Sequence, residues 1–157
     1  MKLNRRPTHD VPAARLLIAD DHELIRDGLR RIFGDEPGLE VVGEATTGRE
    51  AVALCRQLRP DLVLMDARMP DLDGLAATRA IKHEYPAAHV LLVTLNDNPA
   101  YVVETLKAGA AGYVVKGATR REIVHAVRQA LRGEVVVPAE LATQLLRRGA
   151  GETRGEA

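Results

Sequence analysis

Short apolar runs recur along the chain, and a stretch with helical periodicity lies between each run and the next. The runs are RLLIA (Arg15–Ala19), LEVVGEA (Leu39–Ala45), DLVLMD (Asp61–Asp66), HVLLVT (His89–Thr94) and GYVVK (Gly112–Lys116). Each has the length of a strand, and most lack the polar alternation of a half-exposed one, so both of their faces must be covered. After the first run, Ile25, Leu29, Ile32 and Phe33 stand at i, i+4, i+7 and i+8, one face of a helix that GDEPG (Gly34–Gly38) then stops. TGRE, beginning at Thr47, is a capping box in which Glu50 is expected to reach back to the cap residue. It opens a helix that carries Ala51, Leu54, Cys55 and Leu58 inward and ends before Pro60. A third helix is expected over Gly74–Tyr85, and a fourth from Asn98 (N-cap) and Pro99 (first turn) through Ala108. TRRE (Thr119–Glu122) is a second capping box, and Ile123, Val127, Ala130 and Leu131 form the stripe of the helix it starts. Parallel strands need crossover helices, so the alternation predicts an α/β fold: a doubly wound five-stranded parallel sheet with helices on both faces.

The 157 residues suit one domain with extensions, which we place at 15–132. Residues 1–14 hold two prolines and no periodicity, so a flexible leader is expected. Residues 133–157 are read as a short apolar piece, a linker helix over Pro138–Arg148 and a disordered tail. Lys plus Arg and Asp plus Glu both number 22, so the chain has no electrostatic footprint for nucleic acid or an anionic membrane. It has neither a membrane-span-length apolar run nor a signal-peptide core, and a cytoplasmic location is expected. The single Cys55 excludes an intramolecular disulfide and a thiolate metal cluster, and its place on an apolar stripe makes it a packing residue.

In open α/β sheets, ligands sit outside the carboxyl ends of the strands. At those ends the first run delivers Asp20 and Asp21, the third Asp66, the fourth Thr94 and the fifth Lys116. Glu44 and Thr46, from the second, fit less clearly. Clustered carboxylates resist ionisation unless a cation sits among them, and an all-oxygen set favours Mg²⁺, with Mn²⁺ as the alternative. His9, His22, His83, His89 and His125 are dispersed, and His22 reads as a loop or first-turn residue. With Mg²⁺ and Lys116 offsetting the three Asp charges, the pocket is near neutral and can accept a phosphoryl group. An Asp can itself be the nucleophile that receives it.

Asp20-Asp21, LVLMDARMPDLDG, LLVTL and GYVVK resemble the receiver domain of bacterial two-component response regulators, over the whole stretch from Arg15 to Arg132. The resemblance implies a CheY-like, flavodoxin-like fold and a signalling protein that catalyses only its own phosphorylation and dephosphorylation. It makes Asp66 the phosphoacceptor from a histidine kinase's phosphohistidine. It makes Asp21 a direct Mg²⁺ ligand with Asp66 and the Arg68 backbone carbonyl, Asp20 being indirect or secondary. Lys116 and Thr94 become phosphate-binding groups, with Thr94 the switch hydroxyl and Tyr113 the switch aromatic. A surface built from the fourth helix, fifth strand and fifth helix is then the one that changes, serving the kinase and a homodimer. ADDHELIRDGLRRIF, TLKAGAAGYVVKG and GEVVVPAELATQLL resemble the NarL/FixJ (LuxR-type) subfamily, in which a helix-turn-helix domain normally follows. No such domain follows here, so DNA contact, and with it transcription regulation, is expected only through a C-terminal domain missing from this chain.

Taken singly, each of these residues has a plainer reading. Asp20 and Asp21 can cap a helix, Lys116 can be a solvated loop charge, Thr94 a strand residue, and Tyr113 a half-buried packing residue with its hydroxyl in water. Their joint placement on one sheet edge favours the site. Two rival functions fit parts of the same pattern. A Mg²⁺-dependent phosphatase with an Asp nucleophile typically has a second acid two residues on, where this chain has Arg68. A phosphate-independent docking module needs none of the site residues, all of which are present.

Overall fold

The computed structural model describes residues 12–95 and 99–137. Among them, β1 (Ala14–Ala19), β2 (Leu39–Ala45), β3 (Leu62–Asp66), β4 (His89–Thr94) and β5 (Gly112–Val115) alternate with α1 (Glu23–Gly34), α2 (Gly48–Leu58), α3 (Gly74–Glu84), α4 (Pro99–Lys107) and α5 (Arg120–Leu131). The strands form one parallel sheet in the order β2-β1-β3-β4-β5. This is the expected doubly wound architecture. The expected Asn98 cap and the Pro138–Arg148 helix lie outside the described residues, as does the leader up to residue 11.

Side chains alternate across each strand, and that period of two sorts the core into two layers. Leu16, Ile18, Leu62, Leu64, Leu91 and Val93 meet Leu29 and Phe33 of α1 and Ile123, Val127 and Ala130 of α5. Leu17, Ala19, Val63, Met65, Val90 and Leu92 meet Ala51 and Cys55 of α2 and Ala77 and Ile81 of α3 on the opposite face. Every residue of β3 is buried, as a central strand covered on both sides must be.

Local chemistry sets the helix starts. Thr47 accepts the Glu50 amide at 3.1 Å, but the Glu50 carboxylate passes the cap residue and takes the Thr46 amide at 2.7 Å and the Thr46 hydroxyl at 3.1 Å. The expected reciprocal box is thus displaced by one residue, with Thr46 giving both its amide and its hydroxyl to Glu50. At Thr119 and Glu122 both halves of the box form. Asp61 stands just before β3, where its amide and carboxylate bracket Arg15: Asp61 N–H donates to Arg15 O, and Arg15 N–H donates to Asp61 Oδ2, both at 2.8 Å.

Beyond α5 the chain returns to the sheet. Val136 bridges Gly112 in parallel, donating to Ala111 O at 3.0 Å and accepting from the Tyr113 amide at 2.8 Å. The apolar piece that reads as linker in the sequence is therefore laid against the free edge of β5, and Val136 is buried.

Candidate functional site

The order of the sheet places β1 beside β3 at its centre, with β2 reached on one side and β4 and β5 on the other. The crevice at such a reversal is where this architecture leaves room for a ligand. Asp20 continues the β1 ladder, its amide donating to Ala45 O at 3.0 Å, and Asp66 ends β3. Asp20 and Asp66 are 2% and 3% exposed, which makes them the buried acids of the molecule's described part.

Asp66 is held from several sides. The Arg68 amide donates to its Oδ1 at 3.2 Å, and the Lys116 ammonium stands 3.3 Å from its Oδ2. That ammonium is also 3.5 Å from Asp20 Oδ2. The Lys116 contact compensates charge without the alignment of a directed hydrogen bond, so Asp66 Oδ2 is buried with no hydrogen-bond partner. Burial pushes the Asp66 carboxyl above the usual range and the Asp20 charge adds to this, while the Arg68 amide and the Lys116 charge pull the other way.

Behind the acid lies Gly74. A Cβ there would come within 2.3 Å of Asp66 O and 2.8 Å of Ala67 Cα, and the Gly74 amide donates to Ala67 O at 2.9 Å. The turn from β3 to α3 thus closes tightly enough to fix Asp66. Asp73 caps α3 by accepting the Ala76 amide at 2.8 Å, so its carboxylate is engaged in the turn.

Lys116 falls one residue past β5, in a turn, where the sequence placed it as the strand's last residue. Its amide still donates to Thr94 O at 2.9 Å, which ties the ends of β4 and β5 together. Thr94 is buried at the end of β4. A cleft of about 730 Å³ opens over these groups, lined by Asp21, His22, Asp66, Arg68, Thr94, Leu95 and Lys116. The structure therefore brings Asp20, Asp21, Asp66, Thr94 and Lys116 together at one edge. Glu44 stands apart: its carboxylate is taken by Arg26 at 3.1 Å and by Arg30, and Arg26 also donates to Asp20 O at 2.8 Å. A separate groove between α2 and α3 has no such convergence, and Arg56 in it is paired with Glu84.

Tyr113 is fully buried, not half-exposed, and packs with Tyr101 and Leu106 of α4, Val115 and Val137. Burial raises the Tyr101 phenol above its usual value, and the charges of Asp73 and Asp66 add to this while Arg68 opposes it. No motif marks Tyr101 in the sequence. His22, a loop or first-turn residue by sequence, has its Nδ1 3.1 Å from Asp20 Oδ1 and 3.1 Å from Asp21 Oδ1. Asp20, Asp21, His22 and Asp66 each offer an atom within 4.8 Å of the others, a set able to hold a cation. The adjacency of His22 to the acid pair was the signal available in the sequence.

Among the described residues, no helix is long and apolar enough to cross a membrane. A family model described as the response regulator receiver domain matches residues 16–128. The response regulator GacA of Pseudomonas aeruginosa is 41% identical over 131 residues, covering 83% of this chain and 61% of that protein. The response regulator UvrY of Escherichia coli is 41% identical over 130 residues, with 83% and 60% coverage. The chain thus spans about three fifths of the length of these curated relatives. A two-component response regulator of the LuxR family from Aurantimonas superposes with a TM-score of 0.83 at 35% identity, covering 88% of this chain and 99% of that one. The response regulator domain of Thermotoga maritima CheB does so at 0.72 and 30%, with 80% and 99% coverage. With its parallel five-stranded sheet and acids gathered at the carboxyl edge, this chain belongs to the response regulator receiver domain family, in its NarL/LuxR-type branch.

Proposed function

We propose that the chain is the phosphoacceptor of a two-component system, taking a phosphoryl group from a histidine kinase onto Asp66. The observation that carries this reading is the Asp66 carboxylate: buried, braced through one oxygen by the Arg68 amide, and left with the other oxygen free of hydrogen bonds beneath an open cleft. Such an oxygen keeps its lone pairs for a phosphorus or a cation. In the transfer, Asp66 forms the new O–P bond as the P–N bond of phosphohistidine breaks, and the departing imidazole keeps the bonding electrons and takes a proton from solvent. Lys116, already 3.3 Å from Asp66, is placed to follow the charge onto the phosphoryl oxygens. Thr94 at the end of β4 supplies a hydroxyl to the same group.

The donor set fits a hard divalent cation, Mg²⁺ or Mn²⁺. Asp21 and Asp66, which lie in one cluster with Asp20, would hold it together with the Arg68 carbonyl that the family resemblance implies, Asp20 acting as a secondary or indirect ligand. When bound, that ion supplies charge neutralisation and polarises a phosphoryl oxygen. Arg68, whose side chain is exposed, offers no carboxylate to pass a proton to a leaving group, so the phosphatase reading has no support at the position where it needs an acid.

The response runs through Thr94 and Tyr113 to the surface of α4, β5 and α5, where we place kinase contact and homodimerisation. Tyr113 and Tyr101 pack together beneath that surface, which favours it as the moving part. We take residues 15–132 as the receiver unit, extended by Ala14 at the start of β1 and by the segment around Val136 that lies on β5, with the leader before it and the linker after it, working in the cytoplasm and reaching DNA through a separate domain. Acetyl phosphate should add one phosphoryl group to the intact mass in the presence of Mg²⁺. None should be added without the metal, nor to Asp66→Asn. Modification of Asp66→Asn to the wild-type level would overturn the assignment.

A further inference from the structure

We propose that His22 is a nitrogen ligand in the acidic pocket, fitting it for a late first-row divalent ion, Ni²⁺ or Zn²⁺, in competition with Mg²⁺. The proposal rests on the reading of Asp20, Asp21 and Asp66 as a cation site and adds to it a residue that selects among cations.

His22 occupies the N-cap of α1, a position where Ser, Thr, Asp or Asn would accept a helix amide. The imidazole makes no cap bond. Instead it turns back over the acid pair, its Nδ1 at 3.1 Å from one oxygen of each carboxylate. The His22 amide donates to Asp20 Oδ1 at 2.9 Å, which fixes the loop in that turn. In an octahedron with bonds of about 2.1 Å, neighbouring ligand atoms lie about 3.0 Å apart and opposite ones about 4.2 Å. Both distances from Nδ1 match such an edge, and the full span of 4.8 Å needs only a small closure.

The second observation is Asp66 Oδ2, buried in the same pocket without a hydrogen bond and balanced only by the Lys116 charge at 3.3 Å. Asp66 offers an atom within 4.8 Å of those of Asp20, Asp21 and His22, and His22 lines the cleft from which an ion can enter. The contact that Nδ1 makes with the carboxylates uses its proton in the tautomer that carries one there. On binding, that proton leaves to solvent and the nitrogen lone pair takes its place. Oxygen donors and water suffice for Mg²⁺, whereas imidazole favours Ni²⁺ and Zn²⁺. His22 should therefore matter to the second group of ions and be nearly indifferent to the first.

The test is calorimetric titration of the full 157-residue chain with Ni²⁺ and, separately, Mg²⁺, comparing wild type with His22→Ala and His22→Gln. Nitrogen-15 spectra of the imidazoles with added Zn²⁺ provide the direct readout. The expected result is that both variants bind Ni²⁺ at least about tenfold more weakly while their Mg²⁺ affinity stays within about twofold. The His22 Nδ1 resonance should move to a metal-bound position on Zn²⁺ addition. Unchanged Ni²⁺ affinity in the variants, or an equal loss for both ions, would overturn the proposal and leave His22 as a group that merely orients the acids. If the wild-type chain binds neither ion, the cation pocket itself fails and this proposal falls with it. Unchanged Ni²⁺ affinity in variants whose Mg²⁺-dependent phosphorylation persists would keep the receiver reading and reject this one.

Discussion

At the scale of the residue, the site depends as much on a missing side chain as on the charged ones. Gly74 has no room for a Cβ, because the nearest atoms belong to the Asp66 and Ala67 backbone and cannot swing aside. Replacing it with alanine should displace the end of β3, at a cost on the order of 1–3 kcal/mol. Urea melts would read that loss, and Gly74→Ala should also take up phosphate more slowly in the intact-mass assay. Gly28→Ala is the control with the opposite sign: a Cβ there meets nothing within 4 Å, so the change should stabilise α1 by about 0.5–1 kcal/mol. Equal effects from the two would mean that the close approach at Gly74 is unimportant. The polar members of the site were legible in the sequence because strand ends in a parallel sheet share one edge, so that Asp20, Asp66, Thr94 and Lys116 had to meet. Gly74 was not legible as a site residue. The constraint on it is a distance to backbone across a turn, and nothing in a residue's own chemistry reports that.

At the scale of the element, the strands and helices follow from periodicity and caps, and the departures have local causes. Glu50 bypasses Thr47 and takes both donors of Thr46. Lys116 leaves β5 one residue early yet keeps its amide on Thr94 O. The return of residues 134–137 to the sheet was hidden for a different reason: a single bridge has no period, and an apolar triplet looks the same in a linker as on a sheet edge. Its imprint is Gly112, where a Cβ would lie 1.9 Å from Val136 O. Gly112→Ala should therefore push the terminal segment off β5. The Tyr113 and Val136 amides bond across this contact, so both should lose hydrogen-exchange protection. The Leu92 amide, in the middle of β4, should keep its own. Two hydrogen bonds at about 0.5–1.5 kcal/mol each set the scale of the loss. Unaltered protection at both amides would show that the contact tolerates the methyl and that Gly112 is not required for it.

At the scale of the whole molecule, the pocket trades stability for chemistry. Asp66 is raised above its ordinary carboxyl range chiefly by burial. The unfolded chain therefore releases this proton first, near pH 4, and the folded chain later. Below both values the group has no effect. As pH rises through the window between them, the unfolded state gains, and above the folded value the full cost is present. An ionised Asp66 is thus a destabilising group at neutral pH, only part of whose charge Lys116 and the Arg68 amide offset. Asp66→Asn removes that charge while keeping the shape. It should melt higher than wild type at pH 7, with the difference shrinking as pH falls through the window towards 4. A divalent cation should act on the same term from the other side, raising the wild-type melting temperature at pH 7 by mass action, worth about 2.7 kcal/mol at a hundred times its Kd. In Asp66→Asn the same addition should do much less, because the carboxylate whose cost the ion relieves is gone. Thermal melts of both chains at pH 4 and pH 7, with and without Mg²⁺, separate these effects. A variant no more stable than wild type at pH 7 would mean that Lys116 already neutralises Asp66 in full. The cation would then have no unpaid charge to relieve, and its binding would have to come from Asp20 and Asp21 alone.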